Sequence, residues 1–548
     1  MSRAVGLALL LDFAVVARGA HDLWAATAAC LGVLVLALAA VGGSWRRGAG
    51  LSFPLAPYLG AGLAAAFLSF LGSVNPGESF VRWLDLACAA LYFWTAFQTL
   101  QGSREREVFL ACVAPVLAVE LGASLYHRLE ETFRFPDWRY AWRQWTDRQE
   151  VGTLVNANAA ATFLIAWPAL LLDRAKRSRA RERAFWSAVL AADLLALGLA
   201  GSAWAWCCLL ASVPWLRGPR RWRLGPVVWA LILAALAGVL ALKALLASRE
   251  VFGGTIGSRL AWWAAGWDMF ESRPWLGVGV GAYPSAYLAH HQEHGLIRHS
   301  RFAHSLPLGT LAQTGLVGLG ALLALAWAFV ARLRAGGERL REAWPFILGL
   351  GIILLHLLLN PGFEYLANLL AFAALAALAL PPERVHRRAG PFAFAVAAGL
   401  ALCALPYIVA PWLSSRRSVE GERALAQDRW AEAEAHFAAA SAMDGRSSEA
   451  RRGRARALFA RYRATGDDSA LEDALSVQRQ ATRLDRLNGE VWGELGEYLA
   501  AAGDRPGTIE ALERAVKLRS LDRRFAVLLR ALKERDAPVP FDQARPEL

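Results

Sequence analysis

Five of the ten histidines in this chain (His290, His291, His294, His299 and His304) fall in one stretch of fifteen residues. The segment that contains them, from Ser248 to His304, also carries Arg249, Arg259, Arg273, Arg298 and Arg301. A solvated loop has no need of this concentration. Guanidinium groups grip phosphate through paired N–H donors, and imidazole can donate to a phosphate or take a proton near neutral pH. The chemistry on offer is recognition of a phosphorylated ligand together with proton transfer. An arginine at a membrane edge more often only reaches its charge toward water along an apolar stem, and that reading suffices for most of the five. Arg259 and His304 are set apart by the patterns around them, "GSRLAWWAAGWDMFES" and "RFAHSLPLGTLAQTGLVGLG".

The elements that position these groups are written in the hydropathy. The chain has 548 residues, 56% of them hydrophobic, with 23 tryptophans and a mean hydropathy of +0.32. Such a composition excludes an ordinary soluble domain. Apolar runs of about 20 residues, enough to cross ~30 Å of hydrocarbon, recur through the first three quarters and predict about thirteen spans. These lie near 4–18, 23–42, 55–72, 84–100, 107–126, 155–172, 184–200, 201–216, 225–247, 305–331, 344–359, 365–380 and 391–413, the seventh and eighth joined by a tight hairpin at Gly201 and Ser202. The opening apolar run has no small-residue cleavage site and reads as the first span rather than a signal peptide. The net charge of +13 sits largely in short loops between spans, which argues for topology control and against nucleic acid. The six cysteines all lie in apolar segments without metal-ligand spacing.

The loops sort into two sets. "SWRRG", "SRERE", "DRAKRSRARER", "RGPRRWR", "ARLRAGGERLR" and "ERVHRR" are short and arginine-rich, and the positive-inside bias makes them cytoplasmic. The alternate loops, including 127–153, 248–304 and 360–365, then face outward, with the N-terminus inside and everything after Leu413 outside. His304 is thereby expected where the longest external loop re-enters the bilayer. Within that loop Trp263, Trp267 and Phe270 recur at helical spacing, widened by Trp262, as on a helix lying along the membrane surface or packed on a neighbour. The glycines of "PWLGVGVGAY" follow no strand and make no dinucleotide fingerprint; they suit a tight turn or a close backbone approach.

After residue 413 the composition turns to alanine, arginine and glutamate. Ala433, Phe437 and Ala440; Ala474, Gln478 and Ala481; and Thr508, Leu512 and Ala515 recur in matching positions, the last two sets ~34 residues apart, the tetratricopeptide period. The chain is accordingly read as all-α: a polytopic helix bundle over 1–413, a tetratricopeptide-like array over 414–535, and a tail over 536–548. A generic alanine-rich helical stack is the bland alternative. Arrays of this kind bind peptides or proteins and rarely catalyse.

Taken in order, Arg259, Pro274, Gly277, Gly279, His304, Gly315 and Gly318 resemble the O-antigen ligase and O-antigen polymerase family of bacterial envelope enzymes. "GTLVNANAAATFL", with Asn156 and Asn158, and "LLHLLLNPGFEY", with His356, extend the similarity to roughly residues 50–380. The chain departs from the family pattern at Ser305, Gln313 and Asn360, and Ala203 follows Ser202 where relatives commonly carry arginine. The resemblance implies a GT-C-like glycosyltransferase of the bacterial inner membrane, with the array in the periplasm. It implies metal-independent transfer, without a cofactor, of a glycan from a polyprenyl-diphosphate carrier. Arg259 would stabilise the departing diphosphate and His304 would act as base or diphosphate ligand, with Asn158, Arg298, Arg301 and His356 binding substrate. The acceptor is a lipid, a glycan or a protein; in the last case the chain is a protein O-oligosaccharyltransferase and the array holds the polypeptide. A transporter or scaffold whose array recruits a partner differs in class. It is disfavoured because Asp12, Glu120, Asp193 and Lys243 form no obvious relay in the apolar runs.

Overall fold

Backbone in hydrocarbon has no water to bond to, so an apolar chain must satisfy its peptide groups internally, and helix is the simplest way. The computed structural model describes residues 3–134, 152–154, 156–217, 256–290, 300–337, 339–383, 387–388, 390–518 and 523–534. Helices α1 (Arg3–Val16), α2 (Leu23–Arg46), α3 (Ala56–Leu71), α4 (Pro76–Thr99) and α5 (Ser103–Arg134) come first. They are followed by α6 (Ala157–Leu164), α7 (Pro168–Arg177), α8 (Ala180–Ala200) and α9 (Ala203–Ser212). α10 (Ile256–Ser272) and α11 (Tyr283–His290) lead to α12 (Leu306–Ala335), α13 (Arg339–His356), α14 (Leu366–Ala379) and α15 (Pro391–Leu425).

Among the described residues, six helices are long and apolar enough to cross a bilayer: α2, α4, α5, α8, α12 and α15. α3, α9 with the turn that follows it, and α14 are apolar but shorter. α1 has 14 residues, about 21 Å of helix. The expected span 225–247 lies outside the described residues. The run 155–172 is not one helix but two, α6 and α7, divided at Ile165–Trp167 with Pro168 at the start of the second. The chain does turn at Gly201 (φ 75°), but α9 takes α13 as its main neighbour instead of lying back along α8. α14 sits at the centre: every residue in it except Phe372 is buried, as its uniformly apolar sequence requires. Around it pack Leu7, Leu11, Tyr92, Phe97, Phe109, Phe163 and Trp167.

The two loop sets occupy opposite ends. Gly50–Leu51 pairs antiparallel with Arg387–Arg388, joining the regions of "SWRRG" and "ERVHRR". Arg174 meets Glu107 at 3.5 Å and Arg332 meets Glu383 at 2.9 Å, so the other described arginine-rich loops gather there as well. At the other end Arg273 donates to the carbonyl of Gly72, and Leu306 N–H to the carbonyl of Leu357.

α15 runs without a break from the bundle into the C-terminal array, so the boundary drawn at residue 413 falls inside a helix. α16 (Trp430–Met443), α17 (Ser448–Thr465), α18 (Asp468–Leu484), α19 (Gly489–Ala501), α20 (Arg505–Lys517) and α21 (Arg523–Glu534) complete the chain. The end of α15 packs with α16, α17 with α18, and α19 with α20. The matching residues of α16, α18 and α20, from Ala433 to Ala515, are all buried. Glycine serves the crossings: Gly421 and Gly453 lie on opposite sides of the Phe437 ring, where a Cβ would stand 2.8 and 2.2 Å from it. The array rests on the start of α4. Arg486 N–H donates to the carbonyl of Val74 (3.3 Å), the Arg446 guanidinium lies 3.5 Å from the centroid of Phe80, and Leu487 packs beside Val74 and Tyr283.

Candidate functional site

The glycine-rich loop between α10 and α11 is spliced into a broken helix. Gly315 in α12 has φ 62° and ψ −161°, which interrupts the helical ladder and frees the carbonyls of Ala312 and Gln313 and the N–H groups of Leu316 and Val317. The loop takes all four. Val278 and Gly279 donate to the two carbonyls (2.9 and 3.1 Å), while the carbonyls of Pro274 and Trp275 accept from Leu316 and Val317 (2.8 and 3.2 Å). The loop thus pairs the four peptide groups that the break frees. The approach is possible only without side chains, since a Cβ on Gly277 would stand 2.3 Å from Gln313 and one on Gly315 2.4 Å from Trp275. Gln313 secures the splice by accepting from Gly281 N–H at 2.7 Å.

This clamp fixes α10 against α12. The face of α10 turned inward carries Ala261, Trp262, Ala265 and Met269, whereas Trp267 and Phe270 contact each other and Trp267 is exposed. The tryptophan at the heart of the packing is therefore Trp262, one position from the stripe that the spacing suggested. Arg259 lies one turn before it, on the same side of the helix. Trp262 stacks on the imidazole of His304, with centroids 4.1 Å apart and planes inclined by 19°. His304 has φ 51°, a left-handed conformation uncommon outside glycine and one that stores strain. Its Nδ1 is buried with no hydrogen-bond partner among the described residues.

Arg259 Nη2 donates to Asn360 Oδ1 at 2.8 Å. Asn360 Nδ2 lies 3.1 Å from His356 Nε2, and His356 Nδ1 lies 3.0 Å from Thr162 Oγ1. Ser202 Oγ donates to Asn158 Oδ1 at 3.3 Å and sits 3.5 Å from His356 Nε2. α6, α9, α10 and α13 thus bring Asn158, Ser202, Arg259 and His356 into one polar cluster. Asn156 is separate in role: it caps α6 by accepting from the N–H groups of Asn158 and Ala159. Arg301 does not join the cluster; it is exposed, with Nη1 3.0 Å from Nε2 of His21. Arg298 lies outside the described residues, as do His291, His294 and His299.

Electrostatics single out Arg259. Among the described residues it makes no ion pair, and burial lowers its pKa. Burial, and then the nearby Arg259 charge, hold the His304 pKa down to about 3, so the imidazole is neutral at physiological pH. Among the described residues, the cluster presents one positive charge without a counter-ion, beside a neutral imidazole.

Several contributors were not legible as site residues. Thr162 orients His356, and Asn360 bridges it to Arg259, which needs the ends of α6, α10 and α13 to meet. Arg82 of α4 donates to the carbonyl of Phe363 at 2.7 Å and pairs through Nη1 with Asp85 at 3.7 Å; its signal is only an arginine two turns into a helix that Asn75 caps. Arg128 of α5 reaches the turn before Ser202. Buried, it donates through Nε (3.0 Å) and Nη2 (2.9 Å) to the carbonyl of Leu199 at the end of α8, and Nη2 lies 3.3 Å from where a Cβ on Gly201 would be. The turn that carries Ser202 thus receives a guanidinium from a different helix.

Residues 186–323, from α8 through most of α12, match the O-Antigen ligase family (Wzy_C). The matched segment includes Ser202, Arg259, Trp262, His304 and the Gly315 splice. No curated protein matches the chain.

Proposed function

We propose that this chain, a membrane protein with an O-antigen ligase family domain over residues 186–323, transfers a glycan from a polyprenyl-diphosphate carrier to an acceptor hydroxyl at the outer face of the bacterial inner membrane. In this reading about thirteen spans carry the site, the N-terminus is cytoplasmic, and the tetratricopeptide-like array is periplasmic. The observation that supports it most directly is the uncompensated charge of Arg259, held by the neutral Asn360 at 2.8 Å.

The acceptor oxygen attacks the anomeric carbon, and the bond from that carbon to the phosphate oxygen breaks with its electron pair passing to the diphosphate. Arg259 stabilises the charge as it grows. In a site with little water such a group counts for more than in bulk solvent. Nδ1 of His304 receives the acceptor's proton. Its basicity is low in the free protein, but an anion bound at Arg259 offsets the guanidinium and restores it. Ser202, Asn158 and His356 hold the sugar–phosphate from the far side. Metal independence belongs to the same proposal, since an arginine takes the role that divalent ions fill elsewhere.

The test is transfer by purified full-length protein from lipid-linked oligosaccharide to lipid, glycan and protein acceptors, with and without EDTA. Product identity assigns the acceptor class. No transfer to any acceptor, with intact protein that binds the donor, would sink the reading and favour a non-catalytic role.

A further inference from the structure

Resting on the glycan-transfer reading, we propose that a file of rings leading outward from His304 is the subsite for the sugars next to the diphosphate. The file begins with Trp262 stacked on His304. The Phe302 ring stands 6.4 Å from His304 and inclined by 64°, Tyr365 stands 6.3 Å from Phe302, and His21 stands 5.2 Å from Tyr365. Four separate segments supply these rings: α10, the loop before α12, the start of α14 and the α1–α2 connection. Trp262, His304, Phe302 and His21 are each half-buried, whereas Tyr365 is buried and lies against the rings of Phe302 and His21.

The chemistry favours sugars. The C–H groups on a pyranose face are weakly positive and lie well on the negative face of an aromatic ring, while hydroxyls at the ring's edge need donors and acceptors. Here Arg301 supplies donors beside His21. An aromatic belt that merely anchors a protein at the membrane interface needs no continuity between its members. This file is continuous and starts within a helical turn of Arg259, so a glycan leaving the diphosphate would run along it.

Full-length protein in nanodiscs is titrated with bare polyprenyl diphosphate and with a panel of the same lipid bearing different oligosaccharides. At least one glycosylated lipid is expected to bind tenfold or more tightly than the bare one. Phe302→Leu and His21→Leu, which keep apolar bulk without a ring, should each lose most of that increment, and Tyr365→Phe should keep it. Equal weakening toward bare and glycosylated lipid would make the rings a lipid belt and overturn the proposal. So would a panel in which no sugar improves binding. Loss of transfer without loss of the sugar increment would strike the catalytic reading and leave the subsite standing.

Discussion

Arg259 finds its partner in Asn360, 101 residues away, and the bond is between a cation and a neutral amide. An aspartate at 360 would quench the charge inside the protein. The asparagine orients the guanidinium and leaves its charge for a ligand. The same amide faces His356, so one side chain sets the position of two groups.

Asn360→Ala removes both bonds and leaves a buried guanidinium and imidazole short of partners, a cost of about 1–3 kcal/mol. Transfer, measured as kcat/KM for lipid-linked donor, is expected to fall tenfold or more. Asn360→Asp keeps an acceptor for Arg259 and should bind diphosphate less tightly than wild type. Unchanged donor affinity in Asn360→Asp would show that the free charge at 259 is not what the donor meets.

Arg259→Ala and His304→Ala should abolish transfer while leaving membrane insertion intact. Arg259→Lys should recover little, because an ammonium cannot grip phosphate with two parallel donors. Retained turnover in either alanine variant removes that residue from the chemistry.

His304 gives stability a pH signature. Its pKa is about 3 in the folded chain against 6.5 when unfolded, so the unfolded state binds the proton more readily. The contribution is complete above pH 6.5 and is lost as pH falls toward 3. His304→Phe should flatten this part of a melting-temperature profile in detergent. A profile that keeps its wild-type slope in the variant would place His304 in a wetter setting.

Gly315→Ala should prevent correct assembly: the new methyl meets Trp275 at 2.4 Å, and the backbone conformation alone costs about 1–3 kcal/mol. Gly320→Ala, on the same helix with nothing within 4 Å, is the matched control and should behave as wild type. Monodisperse yield and melting temperature distinguish them.

The seat of the array is also testable. Arg446→Ala with Leu487→Ser removes a cation–π contact and an apolar one. Hydrogen exchange should then rise in residues 73–80 and not in α14. No change in residues 73–80 would mean that the array does not brace them.

Hydropathy foresees that the chain is helical and where several of its long apolar helices lie, because that depends on composition within a short window; it does not foresee the split of 155–172. Pro168, at a helix start, marks where 155–172 divides, and Asn156 caps the first of the two helices. On α10 the close packing is made by Ala261, Ala265 and Met269, small or pliant residues beside Trp262, while Trp267 faces out and Phe270 is half-buried. Arg259–Asn360 and Arg128–Leu199 depend on contacts 101 and 71 residues apart, and no local pattern encodes them. The glycines of "PWLGVGVG" reveal a close approach but not its target.

That target has a mechanical consequence. Because four peptide groups of α12 are bonded to the loop between α10 and α11, loop and helix form one rivet, and neither swings without tearing the other open. The stacked pair Trp262 and His304 is therefore held in a rigid frame. On the proposed glycan-transfer reading the donor meets a preset site, and turnover is gated by the cargo's own motion.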